Sequence, residues 1–214
     1  MAKDQNTPNS DKYTQKTSGY KQYNFMQKLA YKTQNGFTHS ANFQYSTSTD
    51  INRYDRLTDP AGSGLKSAEW YYGPQKRLLG IYSLEKENVF SNTDFKLDAG
   101  YQNIEESRHN RNFGNYNLQN RVEKVAVYSL AVNFETKLIK GNLYYGIENY
   151  YDDLKSTAHK NNINTGVDVP LDTRYPNGKN NMMRNDVYVS YSSKRYEATN
   201  FSIGARAGYA TLNS

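Results

Sequence analysis

The chain contains no cysteine and no long apolar run. Without cysteine it has neither a disulfide scaffold nor thiol chemistry. No apolar stretch approaches the roughly 18 residues that mark a transmembrane helix, so helical membrane spans are excluded. Blocks of like charge are missing too, because lysine and arginine are scattered among aspartate and glutamate. The net charge of +6 therefore predicts solvated loops and a polar interior rather than nucleic-acid binding.

Hydrophobic residues are also scarce, at 36%, and the mean hydropathy is -0.97. A chain this polar is usually disordered. However, it contains 21 tyrosines, 8 phenylalanines and one tryptophan, and disordered chains have few aromatic residues. Transmembrane β-barrels reconcile these observations, because only alternate residues of their strands face lipid.

The clearest local pattern is a hairpin between residues 23 and 45, centred on Asn35-Gly36. Apolar and aromatic residues alternate with polar ones on both sides of it, which predicts two strands with one apolar face each. Each strand has about ten residues, the length that crosses a bilayer when tilted. Aromatic residues end both strands away from the turn, as in an interfacial girdle. The alternating set comprises Tyr23, Phe25, Gln27, Leu29, Tyr31, Phe37, His39, Ala41, Phe43 and Tyr45.

The same alternation continues along the chain. It predicts an all-β fold, an antiparallel up-and-down meander of about eight long strands that is part of a larger transmembrane β-barrel. Residues 1–19 are predicted to be a loop or disordered tail, and 20–214 the barrel segment. Short links alternate with long extracellular loops near 49–75, 108–120 and 155–183, a sorting typical of outer-membrane barrels. The predicted strands are 20–33, 37–48, 76–88, 94–107, 121–136, 142–154, 184–193 and 199–210.

This topology starts and ends on the long-loop side, and residues 1–22 lack the apolar core and small-residue cleavage site of a signal peptide. We therefore expect the chain to be a piece of a larger barrel. Open sheet edges are not tolerated in lipid, so we expect the isolated chain to aggregate. A monodisperse, β-rich monomer without detergent would refute that expectation.

Six ordered segments from Tyr20 onward carry a family resemblance. They are IxRYDRL at 51–57, AEWYYGPQKRLL at 68–79, YQNIEESRHNR at 101–111, RVEKVAVYSL at 121–130, LYYGIENYYDD at 143–153 and TRYPNG at 173–178. Together they resemble the mid-barrel segment of TonB-dependent outer-membrane receptors of the Bacteroidetes type. The resemblance leaves no room for the plug domain of those receptors, and no segment like a TonB box stands at the start of the chain.

The resemblance implies that the chain forms barrel wall and extracellular loops of a receptor in the cell outer membrane. Such receptors import a scarce ligand such as a siderophore, haem or cobalamin. The implied partners are the lipid bilayer, a plug domain and TonB system outside this chain, and a small-molecule or metal-chelate ligand, with no nucleic acid.

Aromatic and arginine side chains in the predicted loops are the candidates for ligand contact. Arginines recognise anionic groups through charge-assisted hydrogen bonds, and aromatic rings stack on ligands. Two other interpretations remain open: aromatics at strand ends anchor the membrane interface, and Arg53 or Arg56 forms a salt bridge with Asp55 inside the loop. The candidates are Arg53, Tyr54, Arg56, Trp70, Tyr71, Tyr72, Arg108, Arg111, Arg174 and Tyr175.

Catalytic and metal-binding patterns are not found. His39, His109 and His159 have no second ligand at metal-binding spacing. Glu105-Glu106 is a poor acid-base pair because adjacent residues point to opposite faces of a strand. The sequence has no Gly-rich phosphate loop, GxSxG elbow or HExxH helix. We therefore predict no enzyme activity, no cofactor and no metal.

Two alternatives stay open. The first is a self-contained eight-strand outer-membrane barrel with an adhesin or structural role, since eight strands can close around a core of side chains. The second is a soluble module that binds nucleic acid or carbohydrate through basic and aromatic residues.

Overall fold

A computed structural model of the chain describes residues 4–176, 180–193 and 199–214. Strands make up most of the described chain, with one short helix. The elements in chain order are β1 (Gln22–Lys32), β2 (Phe37–Ser48), β3 (Ile51–Asn52), α1 (Tyr54–Leu57), β4 (Pro60–Ala61), β5 (Gly64–Leu65), β6 (Ser67–Tyr72), β7 (Lys76–Phe90), β8 (Thr93–Asn112), β9 (Asn117–Leu138), β10 (Gly141–Asn162), β11 (Asp168–Pro170), β12 (Asn180–Ser193) and β13 (Ser202–Asn213).

Eight long strands form one antiparallel sheet in the order β1-β2-β7-β8-β9-β10-β12-β13. Each long strand pairs with the next long strand along the chain, so the sheet is an up-and-down meander. The sheet is open: β1 and β13 form its two edges and do not pair with each other within the described chain. The prediction of an all-β antiparallel meander is confirmed at this level.

The predicted first hairpin is present, and its register pairs Lys32 with Thr38. The loop has more residues than the two of an Asn-Gly turn. Gly36 adopts a φ of 84°, and its N–H donates to the carbonyl of Thr33. Hairpin loops longer than two residues commonly end in a residue that needs a left-handed backbone, which glycine adopts without strain.

Two of the predicted long loops are wrong in extent. Strand β8 continues to Asn112 and β9 begins at Asn117, so the loop predicted at 108–120 is a turn of four residues, 113–116. Strand β10 likewise continues to Asn162, and β12 already begins at Asn180 within the loop predicted at 155–183. These strand ends are rich in asparagine, histidine and arginine. Ladder hydrogen bonds use backbone groups, so a paired strand does not require the apolar alternation on which the prediction relied.

The connection at 49–75 is long, as predicted, but contains local structure. Strand β3 pairs with β6, β4 pairs with β5, and β6 pairs with the far end of β8. The predicted tail contains no helix or strand from residue 4 to residue 19. Asn177-Gly178, a turn signal in the third predicted loop, lies outside the described residues.

The sheet has two ends. We call the end with the connections 49–75 and 113–116 and with residues 163–176 the loop end, and the end with the turns 33–36, 91–92 and 139–140 the turn end. Strands β9 and β10 are the longest at 22 residues each, and β1 has 11. The sheet is therefore tallest in the middle, where the strands extend furthest toward the loop end.

The register divides the side chains between two faces. On the first, which we call the aromatic face, apolar rows cross the sheet between two aromatic rows. Toward the loop end lie Tyr101, Tyr128 and Tyr151, toward the turn end lie Phe95, Phe134 and Tyr145, and between them lie Leu97, Ala99, Leu130, Val132, Ile147 and one polar residue, Asn149.

The opposite face, which we call the polar face, carries ion pairs at the same height. Lys96 contacts Glu85 at 3.0 Å and Asp98 at 3.8 Å. Arg206 contacts Glu148 at 2.6 Å and Asp186 at 3.2 Å. Nearer the loop end this face also holds a row of three apolar side chains, Ile104, Val125 and Leu154.

The sheet is a single layer, and its apolar side chains are not buried. Within the described residues no hydrophobic side chain is buried, and the buried side chains are all polar or charged. On the aromatic face, Tyr128 is 49% exposed, Leu130 43% and Ile147 53%. The sheet therefore has no apolar core of its own.

Candidate functional site

Some of the predicted ligand-contact residues lie close together, at the loop end of the sheet. Strand β6 pairs with the extension of β8, so that Trp70 lies opposite Asn110 and Tyr72 opposite Arg108. Trp70, Tyr72 and Arg108 therefore share the polar face. Tyr71, between them, lies on the aromatic face, because neighbouring residues of a strand point to opposite sides.

Arg53 is held firmly beside these residues. Its guanidinium lies 5.4 Å from the ring centroids of both Trp70 and Tyr72, and the two rings meet edge to face at 4.9 Å. It donates to both carboxylate oxygens of Asp55, at 2.8 and 2.6 Å, and to the Tyr72 hydroxyl at 3.1 Å. The bond to Arg53 holds the pKa of Asp55 below its usual range. The salt bridge expected as an alternative is therefore present, and Arg53 supports the aromatic pair structurally.

The two candidates in α1 do not join this cluster as ligand groups. Tyr54 begins the helix, and its carbonyl accepts the hydroxyl of Thr58 at 2.9 Å. Arg56 pairs with Asp59 at 3.3 Å and is half exposed. Both residues stabilise the local fold of the connection.

Tyr71 and Arg111 lie on the other side of the sheet. Tyr71 stacks on His109, with centroids 4.6 Å apart and planes 17° apart. His109 in turn shares a hydrogen bond with Asn120 at 2.6 Å. Burial raises the pKa of Tyr71. This stack fastens β6 onto β8 and leaves His109 engaged within the protein.

Arg111 is 5% exposed and links three segments of the chain. It donates to Glu69 at 2.6 Å and to both carboxylate oxygens of Asp4, at 3.0 and 2.8 Å. The N–H of Gly114 donates to the same Asp4 carboxylate at 3.0 Å. The hydrogen bonds from Arg111 and Gly114 hold the pKa of Asp4 below its usual range. Arg111 is thus a structural clamp between the N-terminal segment and the β8–β9 turn.

Arg174 and Tyr175 form a separate pair after β11. The guanidinium lies 5.9 Å from the Tyr175 ring. Both residues line a cleft of about 510 Å³ with their neighbours in 170–176. Within the described residues this pair makes no contact with Arg53 or the aromatic pair, so the structure does not bring all the predicted candidates together.

The register reveals charged pairs that the sequence analysis missed. On the polar face, Glu106 lies directly opposite Glu123, and two residues further toward the loop end Arg108 lies opposite Arg121. Only Arg108 was predicted as a site residue. The strand pairing is the signal that finds the others, because the two members of each pair come from different strands.

Glu105, the residue before Glu106, has a different environment. Glu105 lies on the aromatic face between Lys76 and Lys124, at 3.2 and 2.9 Å. Glu105 and Glu106 therefore point to opposite faces, as the sequence indicated. The two carboxylates do not form a catalytic pair.

A second polar feature lies on the polar face, at the turn end of the sheet. A cleft of about 580 Å³ is bordered by side chains of β1, β2, β7, β8, β9, β10 and β12, among them Lys96, Glu135, Tyr144 and Tyr188. The Tyr188 hydroxyl donates to Asn133 at 2.7 Å. The polar face thus offers hydrogen-bonding groups along much of its height.

The described residues contain no group of three histidine, cysteine or acidic side chains placed to hold a metal ion. Nor does this part of the chain include a helix that is long and apolar enough to cross a membrane. No known protein family matches the sequence, and no curated protein is significantly similar to it.

Proposed function

We propose that this chain forms part of the wall of an outer-membrane β-barrel, with the aromatic face toward lipid and the polar face toward the lumen. The observation that carries the proposal is the division of side chains between the two faces: exposed apolar side chains cover the middle of one face, and the ion pairs of Lys96 and Arg206 lie at the same height on the other. Contiguous exposed apolar side chains mark a surface that contacts a partner or a membrane. Lipid fits it because the apolar rows cross the middle strands of the sheet without a charged residue between the two aromatic rows.

The dimensions of the aromatic face support a bilayer. On β9, Phe134 and Tyr128 are six residues apart, which is about 20 Å along the strand. Adding Thr136 and Ala126 extends the uncharged stretch to about ten residues, the length of a tilted transmembrane strand. The first charges on the loop side are Asp153 of β10, opposite Ala126, and the next position of β9, Lys124, which pairs with Glu105. Charges therefore begin where the headgroup region is expected.

The proposed role of the whole assembly is TonB-dependent import of a scarce ligand such as a siderophore, haem or cobalamin. Two features support it: the family resemblance of the ordered segments, and the concentration of arginine and aromatic side chains at the loop end. The plug domain, the TonB system and the remaining strands belong outside this chain. In this role the chain lies in the outer membrane, recognises ligand and catalyses no reaction.

The alternative of a self-contained small barrel requires β1 to pair with β13. The order of the strands places them at opposite edges of an open sheet. All eleven residues of β1 are exposed, and so are nearly all residues of β13. Further strands beside these two edges are what a larger barrel would supply.

Cysteine scanning tests the proposed orientation, because the natural sequence contains no cysteine. Single cysteines from 126 to 136 on β9 are labelled with a polarity-sensitive fluorophore in lipid vesicles. We expect apolar emission at even positions such as Tyr128 and Leu130, and aqueous emission at odd positions such as Ser129 and Ala131. Equal emission at both sets would reject the lipid-facing assignment.

Import needs a separate measurement. Cells that carry the complete coding region are compared with cells in which it is deleted, for energy-dependent uptake of iron-siderophore, haem and cobalamin. Loss of uptake of one ligand on deletion, and its abolition by a protonophore, is expected. Unchanged uptake of every ligand together with a correctly oriented barrel would favour the adhesin or structural role.

A further inference from the structure

The polar face carries two like-charge pairs of opposite sign at the loop end. Glu106 and Glu123 lie directly opposite each other on β8 and β9, and Arg108 and Arg121 do the same two residues further along. Side chains at directly opposed positions are about 4.5–5.5 Å apart at Cβ, and like charges there destabilise a sheet. Two consecutive violations of a local rule indicate a functional constraint.

No close ion pair in the described part of the chain compensates these charges. Within the described residues, none of the four side chains forms an ion pair with another protein group. Glu123 accepts a hydrogen bond from the Ser156 hydroxyl at 3.4 Å, and Arg121 donates to the Gln119 amide oxygen at 3.1 Å. Both of these partners are neutral.

A comparison within the same sheet shows how such a conflict is otherwise resolved. Lys124 and Lys155 also lie directly opposite each other, on the aromatic face. There Glu105 sits beside Lys124 at 2.9 Å and compensates its charge. The polar-face pairs have no such counter-ion among the described residues, although they lie at nearly the same height.

We propose that the pairs Glu106–Glu123 and Arg108–Arg121 form a binding site for a small zwitterion that carries an ammonium group and a carboxylate. The arginine pair receives the carboxylate through charge-assisted hydrogen bonds, and the glutamate pair receives the ammonium. The two pairs are about 7 Å apart along the strands. A dipeptide matches this spacing, because two extended residues span about 7 Å.

The aromatic pair beside the arginines suits this role. Tyr72 lies opposite Arg108 and Trp70 opposite Asn110, so both rings border the proposed site on the same face. Arg53 keeps the rings in place. A bound dipeptide would therefore change the surroundings of Trp70, the single tryptophan of the chain.

The proposal goes beyond the proposed import function, because a dipeptide is a different ligand class from a siderophore, haem or cobalamin, and it rests on that function only in taking the loop end as the ligand-facing end. Binding is measured by titration calorimetry, with the complete barrel that contains this chain purified in detergent micelles. The probes are glycylglycine, its N-acetyl derivative, which lacks the ammonium, and its C-terminal amide, which lacks the carboxylate. We expect the zwitterion to bind at least about tenfold more tightly than either analogue, since each analogue leaves one charge pair uncompensated.

Variants assign the two charges. R108Q is expected to remove the preference for glycylglycine over the amide, and E106Q the preference over the N-acetyl derivative. K96Q, on the same face but at the turn end, is the matched control and should change neither. Equal binding of all three probes, or no binding of any, overturns the proposal, whatever the result of the uptake assay.

The urea midpoint of the ligand-free protein provides a second test. If the two glutamates repel each other and await a ligand, E106Q raises the urea midpoint of the ligand-free chain. If the glutamates are instead paired with the arginines inside the protein, E106Q and R108Q both lower it. The second result would overturn the proposal even if a probe bound elsewhere.

Discussion

An arginine placed at neighbouring positions of β9 distinguishes a lipid-facing sheet from a water-facing one. Leu130 lies near the middle of the aromatic face, between the rows of Tyr128 and Phe134, and is 43% exposed. In water, a surface substitution at such a site changes stability by about 0.5 kcal/mol or less. At the centre of a bilayer, arginine on the lipid face of a barrel costs about 2–4 kcal/mol.

Ala131 is the matched control. It follows Leu130 directly, so its side chain points to the polar face. Its cross-strand neighbours are Asp98 on β8 and Glu148 on β10. A new arginine there meets two carboxylates, so A131R is expected to be neutral or slightly stabilising. The same change to arginine thus has opposite consequences at adjacent positions.

The assay is urea unfolding in lipid vesicles, followed by far-ultraviolet circular dichroism. We expect L130R to lose about 2–4 kcal/mol relative to A131R, which is roughly a 30- to 900-fold change in the unfolding equilibrium. Equal midpoints for the two variants would refute the assignment of the aromatic face to lipid. A larger loss for A131R would place the polar face in the membrane instead.

Three further perturbations test local features. D4N removes the carboxylate that binds Arg111. The pKa of Asp4 is lower in the folded state than in the unfolded chain, so the unfolded chain takes up a proton on Asp4 first as the pH falls. The Asp4–Arg111 ion pair therefore contributes its full stability above about pH 4 and weakens below it. Protection of the amides at 113–116 against hydrogen exchange, corrected for the intrinsic pH dependence of exchange, should therefore fall on acidification in the wild type, and D4N should show the low protection already at about pH 7. G146A places a Cβ 2.5 Å from the carbonyl oxygen of Val132, and the overpacking is expected to cost about 1–3 kcal/mol in urea unfolding; an unchanged midpoint would contradict the close approach of β9 to Gly146. G36A forces an L-residue into a φ of 84° and should cost about 1–2 kcal/mol, whereas unchanged stability would mean that the hairpin adopts another loop.

Much of the architecture followed from local patterns. Alternation with period two identified all eight long strands, and the glycine of Asn35-Gly36 marked the first turn. The predicted and observed strands overlap throughout, because their middle portions carry the apolar alternation. The strand ends lack this apolar alternation, because β8 to β10 continue through asparagine-rich and basic segments. There the backbone ladder determines the strand, and side-chain polarity carries little information about it.

The candidate site was predicted less well, for a related reason. Sequence reasoning selected arginines and aromatics in the predicted loops, and several of these are engaged inside the protein: Arg53 with Asp55, and Arg111 with Asp4. The partner of Arg111 is more than a hundred positions away in the sequence, so no local pattern reveals it. Glu106 was considered only beside Glu105, although its relevant neighbour is Glu123 on the next strand.

The sequence by itself determined that the chain is all-β, that its strands have one apolar face, and that no cysteine chemistry or transmembrane helix is available. These properties depend on composition and on alternation along one strand. The tertiary structure decided which side chains become neighbours across strands. It placed the exposed aromatic rows on one face and the ion pairs of Lys96 and Arg206 at the same height on the other, and it brought two glutamates and two arginines into opposed pairs. Such relations depend on register, which is set by pairing between strands and is not encoded in any single strand.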